Sequence, residues 1–168
     1  KRQRVSSVIS TISGRVESED ISYAFGYGGS FAGMAKTSAK GNVYLSISAG
    51  KAVAHFLDTF SGKNEDMAYD PETNRFYPLN VYGGYVAYSH DLPQNFSTSL
   101  SFGSAAITNL DFQEASAYSW SYNTLLNVFW QPIDGARLGI EFATGQRVDK
   151  GGGRGRANRL SMLMYYDF

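Results

Sequence analysis

The chain has 168 residues and no cysteine, so we expect a single domain without disulfides, thiolate metal sites or a cysteine nucleophile. The 15 basic and 15 acidic side chains give a formal net charge of zero, which provides no whole-chain reason to expect a nucleic acid partner. No apolar run approaches the ~20 residues of a transmembrane helix, and the slightly polar mean hydropathy also suits strands that alternate between apolar and polar residues.

Segments with a strand-like period of two follow one another along the chain, and they alternate with turn-forming residues. We expect eight strands, at about 4–14, 21–36, 42–51, 79–90, 95–107, 116–130, 136–148 and 158–168. Short turns at 37–41, 91–94 and 131–135 alternate with longer connections at 15–20, 52–78, 108–115 and 149–157. This alternation is typical of outer-membrane proteins, so the sequence predicts an all-β, antiparallel, up-and-down transmembrane β-barrel segment over residues 1–168.

Most of the predicted strands carry large apolar side chains on one face and small polar ones on the other. In segment 136–148, for example, Leu138 and Ile140 alternate with Arg137, Gly139 and Glu141. This pattern predicts an outer face that contacts lipid and an inner face that carries too many hydroxyl side chains to form a hydrophobic ligand cavity. Segments 4–14 and 79–90 do not show their faces, and we expect these two to pack against a neighbouring subunit.

Trp120 and Trp130 lie ten residues apart in segment 116–130, on the face that also carries Tyr118. At ~3.3 Å per residue and a tilt of ~40°, the two rings would lie about 25 Å apart along the membrane normal. This separation matches the ~25 Å height of the apolar band between two aromatic girdles. The alternative interpretation is that both rings belong to the core of a soluble sandwich.

The final segment is apolar or aromatic at every second residue back from the end of the chain. An alternating strand that ends on an aromatic residue resembles the signal by which the barrel-assembly machinery recognises outer-membrane proteins. The predicted assembly signal comprises Leu160, Met162, Met164, Tyr166 and Phe168. The predicted girdle residues are Trp120, Trp130, Tyr166 and Phe168.

Replacing Phe168 with alanine is therefore expected to impair assembly far more than it changes the conductance of those barrels that do form. The yield of assembled barrels measures this effect, and a normal yield would remove the basis for the predicted signal.

Charged side chains are unevenly distributed once the strands are placed. Most acidic residues lie in the long connections, whereas the polar faces of the strands carry more bases than acids. The basic residues are Lys36, Arg137, Arg147 and Arg159, and the acidic ones are Glu141 and Asp167. We expect these side chains to line a pore with a mild preference for anions. Alternatively, the arginines pair with carboxylates of the wall or reach lipid phosphates.

No pattern in the chain predicts catalysis, a metal or a cofactor. The two histidines, His55 and His90, are expected at opposite ends of their strands, and no Ser/His/acid order stands out. The Gly-Arg stretch at 151–156 is expected to be an exposed flexible loop that contacts lipopolysaccharide phosphates. Connection 52–78 is the longest and contains several aromatic residues, so it is a candidate constriction or lid of the pore.

Several residue patterns in the C-terminal half resemble a known family. They are Asn127-x-x-Trp130-x-Pro132, Gly139-x-Glu141-Phe142-x-x-Gly145-x-Arg147 and Ala157-Asn158-Arg159-Leu160. Over residues 79–168 the chain resembles the DcaP-like porins of Gram-negative bacteria. The resemblance implies a trimeric barrel of about sixteen strands that passes small anionic solutes such as dicarboxylates, with Arg147 and Arg159 important for anion passage. The family's N-terminal coiled-coil segment has no counterpart here, and we expect the eight strands to be half of such a barrel.

The expected function is passive diffusion through a porin of the bacterial outer membrane, in contact with lipid and lipopolysaccharide, as a homotrimer. The main alternative is a small eight-stranded anchor barrel that does not conduct. A barrel-embedded enzyme and a soluble lipocalin-like carrier fit the sequence less well. The chain opens Lys1-Arg2-Gln3-Arg4 without a secretory signal, so we expect that a signal has been removed or that the chain is a fragment.

Overall fold

The computed structural model describes residues 2–14, 22–57, 60 and 65–166. These residues form ten strands and one single-turn 3-10 helix, η1 (Ala54–Phe56). The strands are β1 (Arg2–Gly14), β2 (Ser22–Lys36), β3 (Gly41–Lys51), β4 (Met67–Asp70), β5 (Arg75–Pro78), β6 (Asn80–Asp91), β7 (Phe96–Thr108), β8 (Tyr118–Ile133), β9 (Ala136–Asp149) and β10 (Arg154–Tyr166). Among the described residues no helix has the length and apolar character needed to cross a membrane.

Eight of the strands form one antiparallel sheet in which each long strand pairs with the next one along the chain. The order is β1-β2-β3-β6-β7-β8-β9-β10, and β4 and β5 form a separate hairpin. The predicted all-β, up-and-down antiparallel fold is therefore confirmed. β1 and β10 are the two edges of the sheet and do not pair with each other, so within the described residues the sheet is open rather than closed into a barrel.

The last connection differs from the prediction. β10 begins at Arg154 instead of 158, and the four residues 150–153 form a turn no longer than the connection between β6 and β7. The turn is tight because Gly152 adopts a positive φ of 83°, and the amide of Asp149 donates to the carbonyl of Gly153 at 2.8 Å. Residues 154–156 of the Gly-Arg stretch thus belong to β10, and the prediction of a long connection at 149–157 was wrong.

Connection 52–78 contains structure that the sequence did not predict, the hairpin β4–β5. Its turn is organised by Asp70, whose carboxylate accepts hydrogen bonds from the Thr73 hydroxyl at 2.8 Å and the Glu72 amide at 3.0 Å. These bonds, the one from Thr73 above all, hold the pKa of Asp70 below its ordinary value. The turn is therefore stabilised at neutral pH and loses this contribution as the pH falls through that lowered pKa.

The strand register separates the sheet into an apolar face and a polar face. Representative residues of the apolar face, one each from β2, β3, β6, β7, β8, β9 and β10, are Phe25, Ile47, Val86, Leu100, Leu126, Ile140 and Met162. All seven are exposed. β1 and β6, whose faces the sequence left open, follow the same rule, with Val5 and Tyr82 on the apolar face. The large apolar surface of this protein is thus on the outside of the sheet.

The buried cluster lies on the opposite, polar face, where part of connection 52–78 folds back onto β6, β7 and β8. Its members are Ala54, Phe60, Ala68, Leu79, Val81, Ala105, Ile107 and Tyr118.

Tyr118 corrects the sequence analysis, which placed it beside Trp120 on the apolar face. A bulge between Tyr118 and Trp120 shifts the register and turns the tyrosine to the other face. There its hydroxyl donates to the carbonyl of Ala105 at 2.9 Å and lies 2.7 Å from the hydroxyl of Ser121. The ring is buried and its hydroxyl is hydrogen-bonded, and this explains why the bulge is tolerated.

Candidate functional site: the polar face of the sheet

The first feature of the polar face is the segment that covers part of it. Residues 52–57 together with Phe60, hereafter the inward segment, leave the sheet at the end of β3. Ala52 makes the turn with a positive φ of 52°, and its amide donates to the carbonyl of Leu79 at 2.8 Å. Phe60 packs edge-on against Tyr118 at a ring-centroid distance of 4.9 Å. The segment is thus attached to the wall at both ends.

Glycines of the polar face provide the room for the inward segment. A Cβ atom placed on Gly50 would lie 2.4 Å from Cγ2 of Val53, and one placed on Gly28 would lie 3.0 Å from the same atom. A Cβ on Gly83 would contact Leu57 at 3.4 Å. At these three positions the polar face therefore accommodates a segment of the chain itself.

His55 links the inward segment to the base of the hairpin. Its Nδ1 atom lies 3.0 Å from both carboxylate oxygens of Asp66, and the carbonyl of Asp66 accepts a hydrogen bond from the amide of Leu79. His90 lies at the far end of β6, where its Nδ1 is 3.0 Å from the hydroxyl of Tyr88. The histidines are thus apart, and the described part of the chain holds no group of three metal-binding side chains.

A row of hydrogen bonds crosses four neighbouring strands on the polar face. Ser99 of β7 donates to the side-chain oxygen of Asn127 of β8, and the Asn127 amide donates to Oε2 of Glu141 of β9 at 3.0 Å. Arg159 of β10 completes the row with a bond from Nη2 to Oε1 of Glu141 at 2.8 Å. We call these four residues the polar ladder.

The polar ladder includes an ion pair on the polar face of the sheet. The side chain of Glu141 is 14% exposed and that of Arg159 is 66% exposed, so the guanidinium covers the carboxylate and faces the open side. Sequence analysis identified both residues but not their contact, because they lie on different strands and the pairing depends on the register. Arg159 is paired with a wall carboxylate, which was one of the alternatives considered for it.

Arg147 is also paired. Its Nε lies 2.7 Å from Oδ1 of Asp149, its Nη2 donates to the carbonyl of Ser116 at 3.1 Å, and its guanidinium lies 5.4 Å from the ring centre of Tyr118. The prediction placed Asp149 in a loop, but it is the last residue of β9. Arg147 thus lies at the end of the wall near the long connections, with its charge largely compensated.

Three other cations of the polar face form no ion pair with any carboxylate that the structure describes. Arg137 lies 3.9 Å above the Phe129 ring and donates to the Ser97 hydroxyl at 3.4 Å. Lys36 ends β2 and is exposed. Arg4, whose face the sequence left open, lies opposite Ala32 on the polar face. All three lie towards the end of the sheet that carries the β2–β3, β6–β7 and β8–β9 turns, hereafter the short-turn end.

The aromatic and assembly residues lie on the apolar face. Trp120 and Trp130 share this face, and Trp130 stacks on Phe96 at 6.0 Å. Leu160, Met162, Met164 and Tyr166 lie on the apolar face of β10 and are exposed. Phe168 and Asp167 lie outside the described residues. The girdle and assembly roles of these side chains remain predictions.

A cavity of about 490 Å³ lies between the inward segment and the wall formed by β3, β6, β7 and β8. No charged side chain lines it. Its polar and aromatic lining includes Ser46, Ser48, Phe56, Tyr85, Ser101, Ser121 and Asn123. The cavity exists only because the inward segment folds over these strands.

Two solved structures are similar to this chain. One, the outer membrane channel DcaP of Acinetobacter baumannii, aligns with a TM-score of 0.81 and 16% sequence identity over 99% of this chain and 46% of that chain. The other, a NanC porin, aligns with a TM-score of 0.57 and 10% identity over 96% of this chain and 79% of that chain.

No family model matches the sequence, and no curated protein does. At these sequence identities the structural similarity shows the fold. The predicted resemblance to DcaP-like porins is confirmed at that level, and this chain spans about half the length of DcaP.

Proposed function

We propose that the protein is a channel of the bacterial outer membrane through which small hydrophilic solutes diffuse passively along the polar face of the sheet. The observation that carries this proposal is the inverted distribution of side chains over eight strands, with large apolar residues exposed on one face and hydroxyl, amide and charged groups on the other. Lipid is the solvent that suits such an outer face. The similarity to the structures of an outer membrane channel and a porin supports the proposal.

The open edges of the sheet require further strands in this proposal. Unpaired amides and carbonyls on β1 and β10 would be costly inside a membrane, which β-sheets cross only as closed barrels. We propose that both edges pair with additional strands to close a barrel of about sixteen strands, which assembles as a homotrimer through the barrel-assembly machinery. The outer face would contact lipid and lipopolysaccharide, with Trp120, Trp130, Tyr166 and Phe168 at the interfaces.

The open sheet also bears on the alternative function, a small non-conducting anchor. Such an anchor requires eight strands that close on themselves around an interior filled by side chains. Here β1 and β10 do not pair, and much of the polar face is lined by serine and glycine. The anchor function is therefore the less favoured of the two, and single-channel recording separates them.

The charges of the wall support a mild preference for small anions, including dicarboxylate-like solutes. Arg147 and Arg159 are paired with carboxylates, which reduces the contribution that the sequence analysis assigned to them. The positive potential would come mainly from Arg4, Lys36 and Arg137 at the short-turn end, where Asp91 offsets it in part. Charges in a narrow passage act more strongly than charges at a surface.

The inward segment is proposed to narrow the passage. It lies on the polar face, where it covers Gly28, Gly50 and Gly83 and carries the exposed ring of Phe56. This assigns the constriction expected from connection 52–78 to the inward segment.

Removing the unpaired cations tests the selectivity. In planar bilayers with a salt gradient, the purified protein is expected to show a reversal potential whose sign indicates a preference for anions. The double substitution Lys36→Gln and Arg137→Gln is expected to move the reversal potential towards zero. Arg156→Gln is the matched control, because Arg156 is exposed on β10 but lies on the apolar side. Cation preference of the unaltered channel would contradict the proposed selectivity.

A further inference from the structure

We propose that the cavity beneath the inward segment is a binding site for a neutral, polyhydroxylated solute of the size of a mono- or disaccharide. This inference rests on the proposed channel function and names a solute class that the charge distribution alone does not suggest. The volume of about 490 Å³ falls within the range of sites for small molecules.

The first argument is the absence of charge. No lining residue of the cavity is ionisable except the phenol of Tyr85. Arg147 stands opposite Ser121 in the register, but its guanidinium is engaged by Asp149 and the carbonyl of Ser116. The Glu141–Arg159 pair belongs to the polar ladder. An ionic ligand would thus find no partner of opposite charge in the cavity, whereas a neutral ligand needs none.

The second argument is the supply of uncommitted hydrogen-bonding groups. The hydroxyls of Ser46, Ser48 and Ser101 form no side-chain hydrogen bond with described residues, and neither do the Tyr85 hydroxyl and the Asn123 amide. Hydroxyl and amide groups can both donate and accept, as sugar hydroxyls do. Groups of this kind on four adjacent strands match a ligand that carries hydroxyls around its periphery.

The third argument is the presence of two aromatic rings at the cavity. Tyr85 of β6 is 50% exposed and Phe56 of the inward segment is 56% exposed, so each ring offers a free surface. A sugar ring has a face of C–H groups that packs well on an aromatic ring, while its hydroxyls point to the sides. Phe56 above the wall and Tyr85 within it provide apolar surfaces next to the polar groups.

Ion-current block by maltose tests the site. In planar bilayers containing the full-length protein, maltose is expected to reduce the current saturably, whereas a polyethylene glycol of similar hydrodynamic size should act only in proportion to its concentration. Tyr85→Ala is expected to raise the half-blocking concentration of maltose about fivefold to tenfold, since both a ring contact and a hydrogen bond are lost. Tyr82→Ala is the matched control, because Tyr82 is on the same strand and 49% exposed but lies on the apolar face.

The outcomes separate this inference from the proposed function. A protein that conducts but shows no saturable block by maltose, sucrose or glucose would overturn the sugar site alone. Equal effects of the two tyrosine substitutions on the half-blocking concentration of maltose would also overturn it. So would a block by succinate that is stronger than the block by maltose and that Tyr85→Ala weakens to the same degree. A reconstituted protein that does not conduct at all would overturn the channel function, and the inference with it.

Discussion

Replacing Phe60 with alanine is expected to release the Phe60 end of the inward segment and to raise the single-channel conductance. The Phe60 side chain is 1% exposed and packs in the buried cluster with Val81, Ala105 and Tyr118. Removing a buried phenylalanine side chain costs about 3–5 kcal/mol. The neighbouring contact between His55 and Asp66 is a hydrogen bond worth about 0.5–1.5 kcal/mol, which is too little to compensate.

The structure predicts that this substitution leaves the sheet intact, because Phe60 is not part of a strand. Circular dichroism and the heat-modified mobility of the barrel on gels report whether the strands have formed. Phe56→Ala is the matched control, since it removes the same ring from the same segment at a position that is 56% exposed. Its conductance in simple salt should rise less than that of Phe60→Ala, because the inward segment stays attached. Unchanged conductance of a folded Phe60→Ala channel would show that the segment does not narrow the passage.

Replacing Glu141 with glutamine is expected to strengthen anion preference. The change removes the only carboxylate that contacts Arg159 among the described residues and leaves the guanidinium facing the passage without its counter-charge. A glutamine oxygen still accepts the bond from Asn127, so the polar ladder keeps its connection to β8. A charge a few ångströms from a passing ion is worth about 1 kcal/mol even in water, so the permeability ratio should change about fivefold.

The opposite substitution in the pair provides a sign test. Arg159→Gln should shift the reversal potential towards cations, and because the Glu141 carboxylate is largely buried, it should also destabilise the fold by about 1–3 kcal/mol. Glu72→Gln is the control, since Glu72 is exposed in the turn of the β4–β5 hairpin, away from the wall. Shifts of the same sign in Glu141→Gln and Arg159→Gln would contradict the proposed role of the pair.

Sequence reasoning located the long strands because their signal is local. The alternation of Leu138, Ile140 and Phe142 with polar residues requires a period of two, whatever the strand pairs with. Strand ends were less certain, as β10 shows: Arg154 and Arg156 belong to no apolar pattern, yet they pair with β9. The same reasoning missed the β4–β5 hairpin, because segments of four residues are too short to show a period.

Tyr118 shows that the position of a residue in the sequence does not always predict the face of the sheet on which its side chain lies. Counting by twos from Trp120 puts it on the apolar face, but one bulged residue reverses that count. The bulge is stabilised by a buried site that Phe60 helps to form, and Phe60 comes from a part of the chain 58 residues earlier. No local pattern carries that information.

The sequence by itself determined the fold class, the two faces of most strands and the type of surroundings that each face requires, since these follow from the alternation of neighbouring side chains. Only the tertiary structure decided which charges are compensated and where a cavity lies. The strand register brings Glu141 next to Arg159, which is distant in sequence. The chain folds back over the sheet and so brings the inward segment into contact with Gly28, Gly50 and Gly83. Hydrogen bonds and packing act at distances of a few ångströms, so these contacts come into existence only when the strands pair.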